Sequence, residues 1–201
     1  MKSIILLSGG IDSTVLLAER VAAGNECTAL SFDYGQTHAK RELPAAQAVA
    51  GHYGIPHRVI DLRGIFGPCA LIGRGEIPDG HAEEPDTTTV PGRNLVILGI
   101  AAAVADARDA AAVFFGANAD DYAGYVDCRP EFVDAMAEAA ARGTTRGVSI
   151  HAPFLSWSKS EIVQVGRLLK VPFELTWSCY RGEEQPCSRC GACESREEAM
   201  Q

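Results

Sequence analysis

A glycine-rich stretch near the start of the sequence combines residues that bind anions with a change of secondary structure. Residues 8–13 read SGGIDS and lie between the aliphatic run Ile4–Leu7 and a second apolar run that begins at Val15. A strand that passes through glycine into a helix N-terminus directs free backbone N–H groups and a partial positive charge at one spot. Phosphate is the usual occupant of such a spot, so the sequence predicts a phosphate-binding loop.

The residue types of this SGGIDS loop favour a pyrophosphate held with magnesium. Gly9 and Gly10 let backbone N–H groups approach the phosphates without obstruction, and Asp12 is predicted to hold a bridging Mg²⁺. The loop lacks the lysine of a Walker A motif and the G-x-G-x-x-G spacing of a dinucleotide fold. A tight turn with Asp12 or Ser13 as helix cap would explain the same residues without a ligand. The predicted nucleotide-binding residues are Leu7, Ser8, Gly9, Gly10, Ile11, Asp12, Ser13, Thr14 and Val15.

Four cysteines in the C-terminal part of the chain have the spacing of a metal site. Cys179, Cys187, Cys190 and Cys193 follow the pattern C-x7-C-x2-C-x2-C. Two-residue gaps let neighbouring thiolates converge on one ion, and Zn²⁺ accepts four sulfurs tetrahedrally. An iron–sulfur cluster has similar cysteine needs and remains an alternative, although the sequence lacks a redox partner motif. We predict one structural zinc ion per chain, because a closed four-thiolate site leaves no open position for a substrate.

The composition indicates a soluble globular protein that acts on a small molecule. The 201 residues carry a net charge of −8, which gives no bulk attraction for nucleic acid. The sequence contains no apolar run near the roughly 20 residues that span a bilayer, and the first apolar run ends too early for a signal peptide. We therefore expect a cytoplasmic protein without a nucleic-acid partner or membrane association.

Predicted strands and helices alternate along the chain, and these elements must position the SGGIDS loop and the four cysteines. We predict strands at 4–7, 27–32, 57–60, 112–115 and 149–151, and helices at 13–22, 42–53, 94–107, 130–141 and 158–169. Such alternation predicts a Rossmann-like α/β fold, a parallel sheet with helices on both faces, whose ligands bind beyond the carboxyl ends of the strands. Residues 1–172 would form the nucleotide-binding domain, with the four-cysteine segment 173–201 packed on it. The long loop 61–93 is either a lid over the ligand or a surface excursion with local structure.

Segments along the whole chain resemble one family. The SGGIDS loop resembles the PP-loop of the ATP pyrophosphatases, enzymes that cleave ATP between its α and β phosphates. From the first strand to Cys193, the chain resembles the QueC family of 7-cyano-7-deazaguanine synthases. The usual pattern differs here at Gly92 and Asp120, and neither difference alters a charged or cysteine position of that pattern. The matching segments are SFDYGQTH (31–38), VPGRN (90–94), GANADDYAGYVDCRPEF (116–132), HAPF (151–154) and TWSCY (176–180).

The resemblance implies an adenine nucleotide alpha hydrolase-like fold, a homodimer and an ATP-dependent reaction. That reaction converts 7-carboxy-7-deazaguanine and ammonia into the 7-nitrile, with release of AMP and pyrophosphate. A carboxylate is a poor electrophile, so its attack on the α-phosphate would first give an acyl-adenylate, from which ammonia displaces AMP to form an amide. A second adenylation, on the amide oxygen, and loss of AMP would then give the nitrile.

The residues that follow the fourth strand are predicted to bind the substrate. A deazaguanine presents adjacent N–H donors that one carboxylate accepts in bidentate fashion, and Asp127 and Glu131 are the candidates. Arg129 is predicted to bind the substrate carboxylate or the adenylate phosphate, and Tyr122 and Tyr125 to stack on the base. Alternatively, this segment is only a helix start, with Asp127 near its cap and Glu131 in its first turn.

Other residues near the strand ends have weaker signals. Arg93 is predicted to bind phosphate, and His38 to take a proton from ammonium, although a lone histidine is more often structural. Cys128 could be read as a nucleophile, but adenylation already activates the substrate and the sequence shows no second base. Lys159 is expected to be a solvated residue in the first turn of its helix. The predicted catalytic residues are Asp12, Arg129, Arg93 and His38.

Two other classes of protein fit parts of this pattern. One is another PP-loop adenylating enzyme, such as a tRNA thiolase or an amide-forming synthetase, with a different acceptor. The acidic charge opposes RNA binding, and the chain has no room for an amidotransferase domain, so ammonia would be free or come from a separate donor. The other is a nucleotide-binding or zinc-dependent interaction module without catalysis. Release of AMP and pyrophosphate distinguishes them, because a binding module releases neither.

Overall fold

The computed structural model describes residues 1–80, 87–121 and 124–201. Five parallel strands form one sheet in the order β3-β2-β1-β4-β5. The strands are β1 (Lys2–Leu6), β2 (Glu26–Asp33), β3 (His57–Asp61), β4 (Ala112–Phe114) and β5 (Ser149–His151). The α-helices within these residues are α1 (Ile11–Ala22), α2 (Ala39–His52), α3 (Arg93–Ala107), α4 (Pro130–Gly143), α5 (Lys159–Leu168) and α6 (Gly191–Met200).

Helices cover both faces of the sheet, as the alternation of elements predicts. Successive strand residues point to opposite faces, so Ile4 packs in the cluster that contains α3 and α4. Its neighbour Ile5 packs in the cluster that contains α1, α2 and α5. Both isoleucines are at most 1% exposed, which explains why the central strand has a continuous apolar run rather than an alternating one.

The order of the strands places several loops around one point. β1 pairs with β2 on one side, where Ile4 lies opposite Thr28, and with β4 on the other, where Ile4 lies opposite Val113. The chain runs outward from β1 to β3 in one direction and from β4 to β5 in the other. Ligands of parallel sheets bind at such a switch point, and here it lies at the ends of β1 and β4. The SGGIDS loop leaves β1 at this point.

Helix α2 begins at Ala39, three residues before its predicted start at residue 42. In the predicted helix 42–53, Pro44 would lie in the first turn, where proline is tolerated, but in the structure it lies inside the helix, so the predicted start is wrong. An interior proline removes one backbone hydrogen bond from the helix. The apolar face of α2, where Val49 is fully buried against the sheet, holds the helix in place despite this loss.

The C-terminal segment packs against the rest of the chain. Helix α6, which the sequence reasoning did not predict, follows the cysteines and lies beside α5, where the Arg167 guanidinium donates to the Met200 carbonyl. Within the loop 61–93, Leu71 is buried in the core, and Gly80 N donates to the Arg189 carbonyl at 2.7 Å. The described part of this loop is therefore attached to both the core and the cysteine segment. The boundary at residue 172 stays a prediction.

Among residues 1–80, 87–121 and 124–201, no helix is both long enough and apolar enough to cross a bilayer.

Candidate active site

A cavity of about 290 Å³ opens at the carboxyl edge of the sheet. The SGGIDS loop, the end of β2, the start of α3 and the cysteine segment all contribute to its wall. Its polar lining includes Ser8, Asp12, His38, Arg93, Asp121 and Lys159. Three of the four residues predicted to be catalytic therefore face one cavity.

The SGGIDS loop is shaped by its own hydroxyl groups. Ser8 Oγ lies 3.0 Å from Ser13 Oγ and accepts from Gly10 N at 3.2 Å. Thr14 Oγ1 donates to the Gly10 carbonyl at 2.7 Å. Helix α1 starts at Ile11 with Gly10 as its N-cap residue and without a side-chain cap hydrogen bond. The reading of Asp12 or Ser13 as the helix cap is therefore wrong, and first-turn N–H groups stay available to an anion.

Gly9 is held between helix α2 and the cysteine segment. Its φ of +89° lies in the left-handed region, and a Cβ there would be 2.7 Å from both Ala46 N and the Glu42 carbonyl oxygen. The Gly9 carbonyl accepts from Trp177 N at 2.9 Å. Glycine is thus needed at this position both for its backbone conformation and for the close approach of α2.

We expect Gly9→Ala to lower the free energy of unfolding by about 2–4 kcal/mol, because it adds a left-handed alanine and an overpacked contact. Urea unfolding measures this difference. The matched control is Gly51→Ala in helix α2, where a Cβ meets nothing within 4 Å. That change should leave stability equal or raise it by about 0.5–1 kcal/mol. Equal stabilities for the two variants would contradict the tight packing around Gly9.

Lys159 is not the solvated residue that the sequence suggested. Its side chain is 21% exposed and its Nζ lies 3.6 Å from Asp12 Oδ2. Burial alone would lower the pKa of Lys159, but the carboxylates of Asp12, Asp121 and Asp120 outweigh it and raise that pKa. The signal was present in the sequence. The capping box of Ser158 and Glu161 fixes the start of α5 shortly after β5, and Lys159 is the first residue of that helix.

Asp12 is a carboxylate that lacks its full set of partners. Burial raises its pKa to about 6, although the nearby Lys159 ammonium acts in the opposite direction. Its Oδ1 is buried and has no hydrogen-bond partner among the described residues. An orphaned, buried carboxylate oxygen beside a phosphate-binding loop fits a hard cation such as Mg²⁺, which prefers oxygen ligands.

The opposite wall of the cavity carries a second cation. Arg93 Nη1 donates to Tyr34 Oη at 3.4 Å, and its guanidinium lies 5.9 Å from the centroid of the Tyr34 ring. Burial would lower the pKa of Arg93, but Tyr34, Tyr180 and Asp127 offset this and raise it. Asp121 lines the same cavity, and burial raises its pKa. Sequence reasoning missed both Tyr34 and Asp121, although both lie in segments that carry the family resemblance.

The residues predicted to bind the base lie largely outside this cavity. Asp127 Oδ2 accepts from Asn94 N at 3.0 Å, so its carboxylate binds the first turn of α3. Glu131 is exposed in the first turn of α4, and Arg129 is the N-cap residue of that helix. Of the described residues 124–132, only Cys128 lines the cavity. Asp127 therefore does cap a helix, as the alternative interpretation proposed, but the helix is α3 rather than α4.

The two predicted stacking tyrosines have different outcomes. Tyr125 Oη lies 3.4 Å from Thr88 Oγ1, outside the cavity lining. Tyr122 falls outside the described residues. Cys128 is buried, and burial together with Asp121 raises its thiol pKa to about 12. A thiol with so high a pKa is a poor nucleophile, which agrees with the rejection of a catalytic role for Cys128.

The four C-terminal cysteines converge as their spacing predicts. Their four Sγ atoms all lie within 4.8 Å of one another. Cys193 Sγ lies 3.6 Å from Cys190 Sγ and 3.9 Å from Cys187 Sγ. A tetrahedral ion with metal–sulfur bonds of about 2.3 Å requires sulfur–sulfur edges of about 3.8 Å. The cluster can therefore hold a metal ion.

The backbone around Cys187 favours the thiolate form of that residue. Burial would raise the pKa of the Cys187 thiol, but the backbone N–H groups of Arg189 and Cys190 outweigh it and lower that pKa to about 7. Trp177 Nε1 donates to the Cys179 carbonyl at 2.8 Å, and Trp177 N reaches Gly9. A single tryptophan thus joins the cysteine cluster to the SGGIDS loop.

Solved structures with related folds are remote in sequence. The fold matches NMN synthetase from Francisella tularensis with a TM-score of 0.58 and 19% identity, over 92% of this chain and 70% of that one. It also matches the U34-tRNA thiolase NcsA from Methanococcus maripaludis with a TM-score of 0.57 and 17% identity, over 99% of this chain and 64% of that one. At these identities, the likeness supports the fold alone.

Relatives of higher identity span nearly the whole chain. The protein is 44% identical to a 7-cyano-7-deazaguanine synthase from Thermoplasma volcanium, over 97% of this chain and 84% of that protein. It is 43% identical to a protein of the same name from Trichodesmium erythraeum, over 100% of this chain and 96% of that protein. The profile of the family described as queuosine biosynthesis protein QueC matches residues 2–201. The chain therefore belongs to the QueC family.

Proposed function

We propose that the protein is a 7-cyano-7-deazaguanine synthase, which makes the nitrile from 7-carboxy-7-deazaguanine, ammonia and ATP. One observation carries the proposal: the SGGIDS loop, its Asp12–Lys159 pair and Arg93 open on the same cavity, in a chain that belongs to the QueC family throughout. The names of its relatives supply the substrate.

The cavity offers a separate role to each charged residue. The SGGIDS loop binds the β and γ phosphates of ATP, which leaves the α-phosphate open to attack. Asp12 would hold Mg²⁺, which would supply positive charge to the leaving pyrophosphate. Lys159, which already faces Asp12, stabilises the negative charge that develops at the α-phosphate. Arg93 binds the substrate carboxylate or, after the first step, the adenylate phosphate.

The structure suggests a different candidate for the carboxylate that reads the base. The Asp127 carboxylate accepts a hydrogen bond from the first turn of helix α3, and Glu131 is exposed. Asp121, by contrast, lines the cavity. We assign the N–H donors of the deazaguanine to Asp121. Tyr34 and Tyr180, which also line the cavity, provide aromatic surface for the flat base.

The reaction proceeds in two adenylations. A substrate carboxylate oxygen attacks the α-phosphorus, and pyrophosphate leaves. Ammonia then forms a C–N bond to the acyl carbon as the C–O bond to AMP breaks, and the amide results with release of one proton. The amide oxygen attacks a second ATP in the same way. Loss of AMP and of the remaining N–H protons from the adenylated amide gives the nitrile.

The remaining assignments concern the cysteine cluster, the assembly and the compartment. We assign a structural Zn²⁺ to the cluster, because four thiolates close its coordination shell. A homodimer rests on the family resemblance, and α3 offers it an apolar surface on which Leu95 is 55% exposed. We assign the protein to the reducing cytoplasm, which suits seven cysteines that form no disulfide bond.

Mass spectrometry of the base tests the reaction directly. The protein is incubated with ATP, ammonium and 7-carboxy-7-deazaguanine, and the AMP and pyrophosphate are quantified. We expect the nitrile, with two AMP and two pyrophosphate released for each molecule formed. Release of ADP alone would contradict the proposal. Release of AMP with a different acceptor only would identify another PP-loop enzyme.

A further inference from the structure

A group of buried polar residues lies on the side of the cavity formed by the end of β2 and the start of α2. Gln36 is 3% exposed and His38 is 4% exposed, and both side chains lie next to the Glu42 carboxylate. His38 and Glu42 both line the cavity. The phosphate, magnesium and base roles assigned above use none of these three residues.

Glu42 is fixed in position beside the phosphate-binding loop. Gln36 Nε2 donates to Glu42 Oε2 at 2.7 Å, and the same amide donates to the Phe32 carbonyl at 3.0 Å. The Glu42 carbonyl oxygen is the atom that a Cβ on Gly9 would approach to 2.7 Å. The Glu42 carboxylate is therefore held in place by Gln36, and the backbone of the same residue packs against Gly9 of the SGGIDS loop. Glu42 lines the cavity at this position.

His38 is a neutral base that faces the same space. Its Nε2 lies 3.7 Å from Glu42 Oε2, and its Nδ1 is buried without a hydrogen-bond partner among the described residues. The charged and titratable groups around the ring are Glu42 from α2, Arg93 from α3 and Tyr180 from the cysteine segment. Burial lowers the pKa of His38, and Arg93 acts in the same direction, while Glu42 and the Tyr180 backbone oppose it.

We propose that Glu42 and His38 form an ammonium subsite, in which Glu42 binds NH₄⁺ and His38 removes its proton. The inference rests on the proposed function and adds to it the place where the nitrogen enters. A small cation with four N–H donors needs acceptors rather than a phosphate-binding loop, and the Glu42 carboxylate and the His38 imidazole are acceptors that share one cavity wall. The nearby Arg93 guanidinium disfavours a positive charge on the ring, so the proton leaves His38 again after each transfer.

The chemical step is a single proton transfer followed by attack. An N–H bond of NH₄⁺ breaks, its proton moves to the His38 ring nitrogen, and the electron pair stays on ammonia. That pair forms the C–N bond at the acyl carbon of the adenylate, and the C–O bond to AMP breaks. The proton that the new amide nitrogen releases, like the one on His38, passes to solvent.

Comparison of two nucleophiles tests this inference. Hydroxylamine is unprotonated at neutral pH, so it needs neither binding as a cation nor deprotonation, and it converts the acyl-adenylate to a hydroxamate. For His38→Gln we expect the rate with ammonium to fall about 10²-fold, while the rate with hydroxylamine stays within about twofold. For Glu42→Gln we expect the apparent KM for ammonium to rise about tenfold or more, again without an effect on hydroxylamine.

Pyrophosphate exchange separates this inference from the proposed function. Exchange of labelled pyrophosphate into ATP with 7-carboxy-7-deazaguanine reports the first adenylation, which does not involve ammonia. Both variants should retain that exchange, as should the control His52→Gln, which changes an exposed histidine on the same helix. Equal loss with ammonium and hydroxylamine, or loss of exchange, would overturn the subsite. Absence of exchange in the wild-type protein would overturn the proposed function itself.

Discussion

Asp12→Asn is expected to reduce nitrile formation by about 10²–10³-fold without loss of stability. The substitution keeps the shape of the side chain and removes the charge that faces Lys159 Nζ at 3.6 Å and that would hold Mg²⁺. Stability should not fall, because burial already disfavours the ionised carboxylate and raises its pKa to about 6. The expected signature is therefore a loss of activity in a fully folded protein.

Steady-state kinetics and urea unfolding of the same preparations test this signature. Asp134→Asn is the matched control, because Asp134 is exposed on α4, outside the cavity. It should leave both the rate and the free energy of unfolding unchanged. A wild-type rate in Asp12→Asn would show that the magnesium and pyrophosphate role assigned to Asp12 is wrong.

Cys190→Ser is expected to remove the bound metal and to unfold the C-terminal segment. Cys190 is fully buried and its Sγ lies 3.6 Å from Cys193 Sγ, so its loss opens the coordination shell at the centre of the cluster. Metal binding and folding are coupled in such small sites, because the ligands do not converge without the ion. We expect the metal content to fall from one ion per chain almost to zero and nucleotide affinity to fall with it, since Trp177 links the cluster to Gly9.

Atomic absorption of the purified protein measures the metal, and isothermal titration measures nucleotide binding. Cys27→Ser is the control, because Cys27 is buried outside the cluster and its thiol donates to the Asn25 carbonyl, a bond that a serine hydroxyl also makes. The control should keep its full metal content. Folded Cys190→Ser protein with full metal content would refute the structural role, and iron in the wild-type protein would favour the iron–sulfur alternative.

The sequence predicted the sheet because the physical signal for each strand is local. Ile4 and Ile5 are buried on opposite faces of the sheet. A strand that is buried on both faces has a short continuous apolar run in its sequence, which can be recognised without knowing the adjacent strands. Strand β5 was predicted at its observed bounds, and the ends of the other strands differ from their predicted positions by at most two residues. The start of α2 was missed because Pro44 favours a first turn, and contacts with the sheet outweighed that preference.

The site was predictable only in part, because several of its residues are defined by distant contacts. The SGGIDS loop and the four cysteines are local in sequence, and the structure brings each group together as its spacing implied. The capping box places Lys159 in the first turn of α5, but its pairing with Asp12 depends on the position of β5, two strands from β1 in the sheet. Asp127 was predicted to bind the substrate because its partner, Asn94 N, is distant in the sequence and becomes its hydrogen-bond donor only in the folded protein.

The hydrogen bond from Trp177 N to the Gly9 carbonyl joins two segments that are far apart in the sequence, so the SGGIDS loop is complete only after the cysteine segment has packed on it. A partly folded chain in which only β1 and α1 have formed has the SGGIDS loop without Lys159 or the cysteine segment, so its nucleotide pocket is incomplete. Long-range contacts of this kind form slowly, since the intervening chain must be closed into a loop first. Nucleotide binding is therefore expected to appear late in refolding, after the cysteine segment and Lys159 have reached the SGGIDS loop.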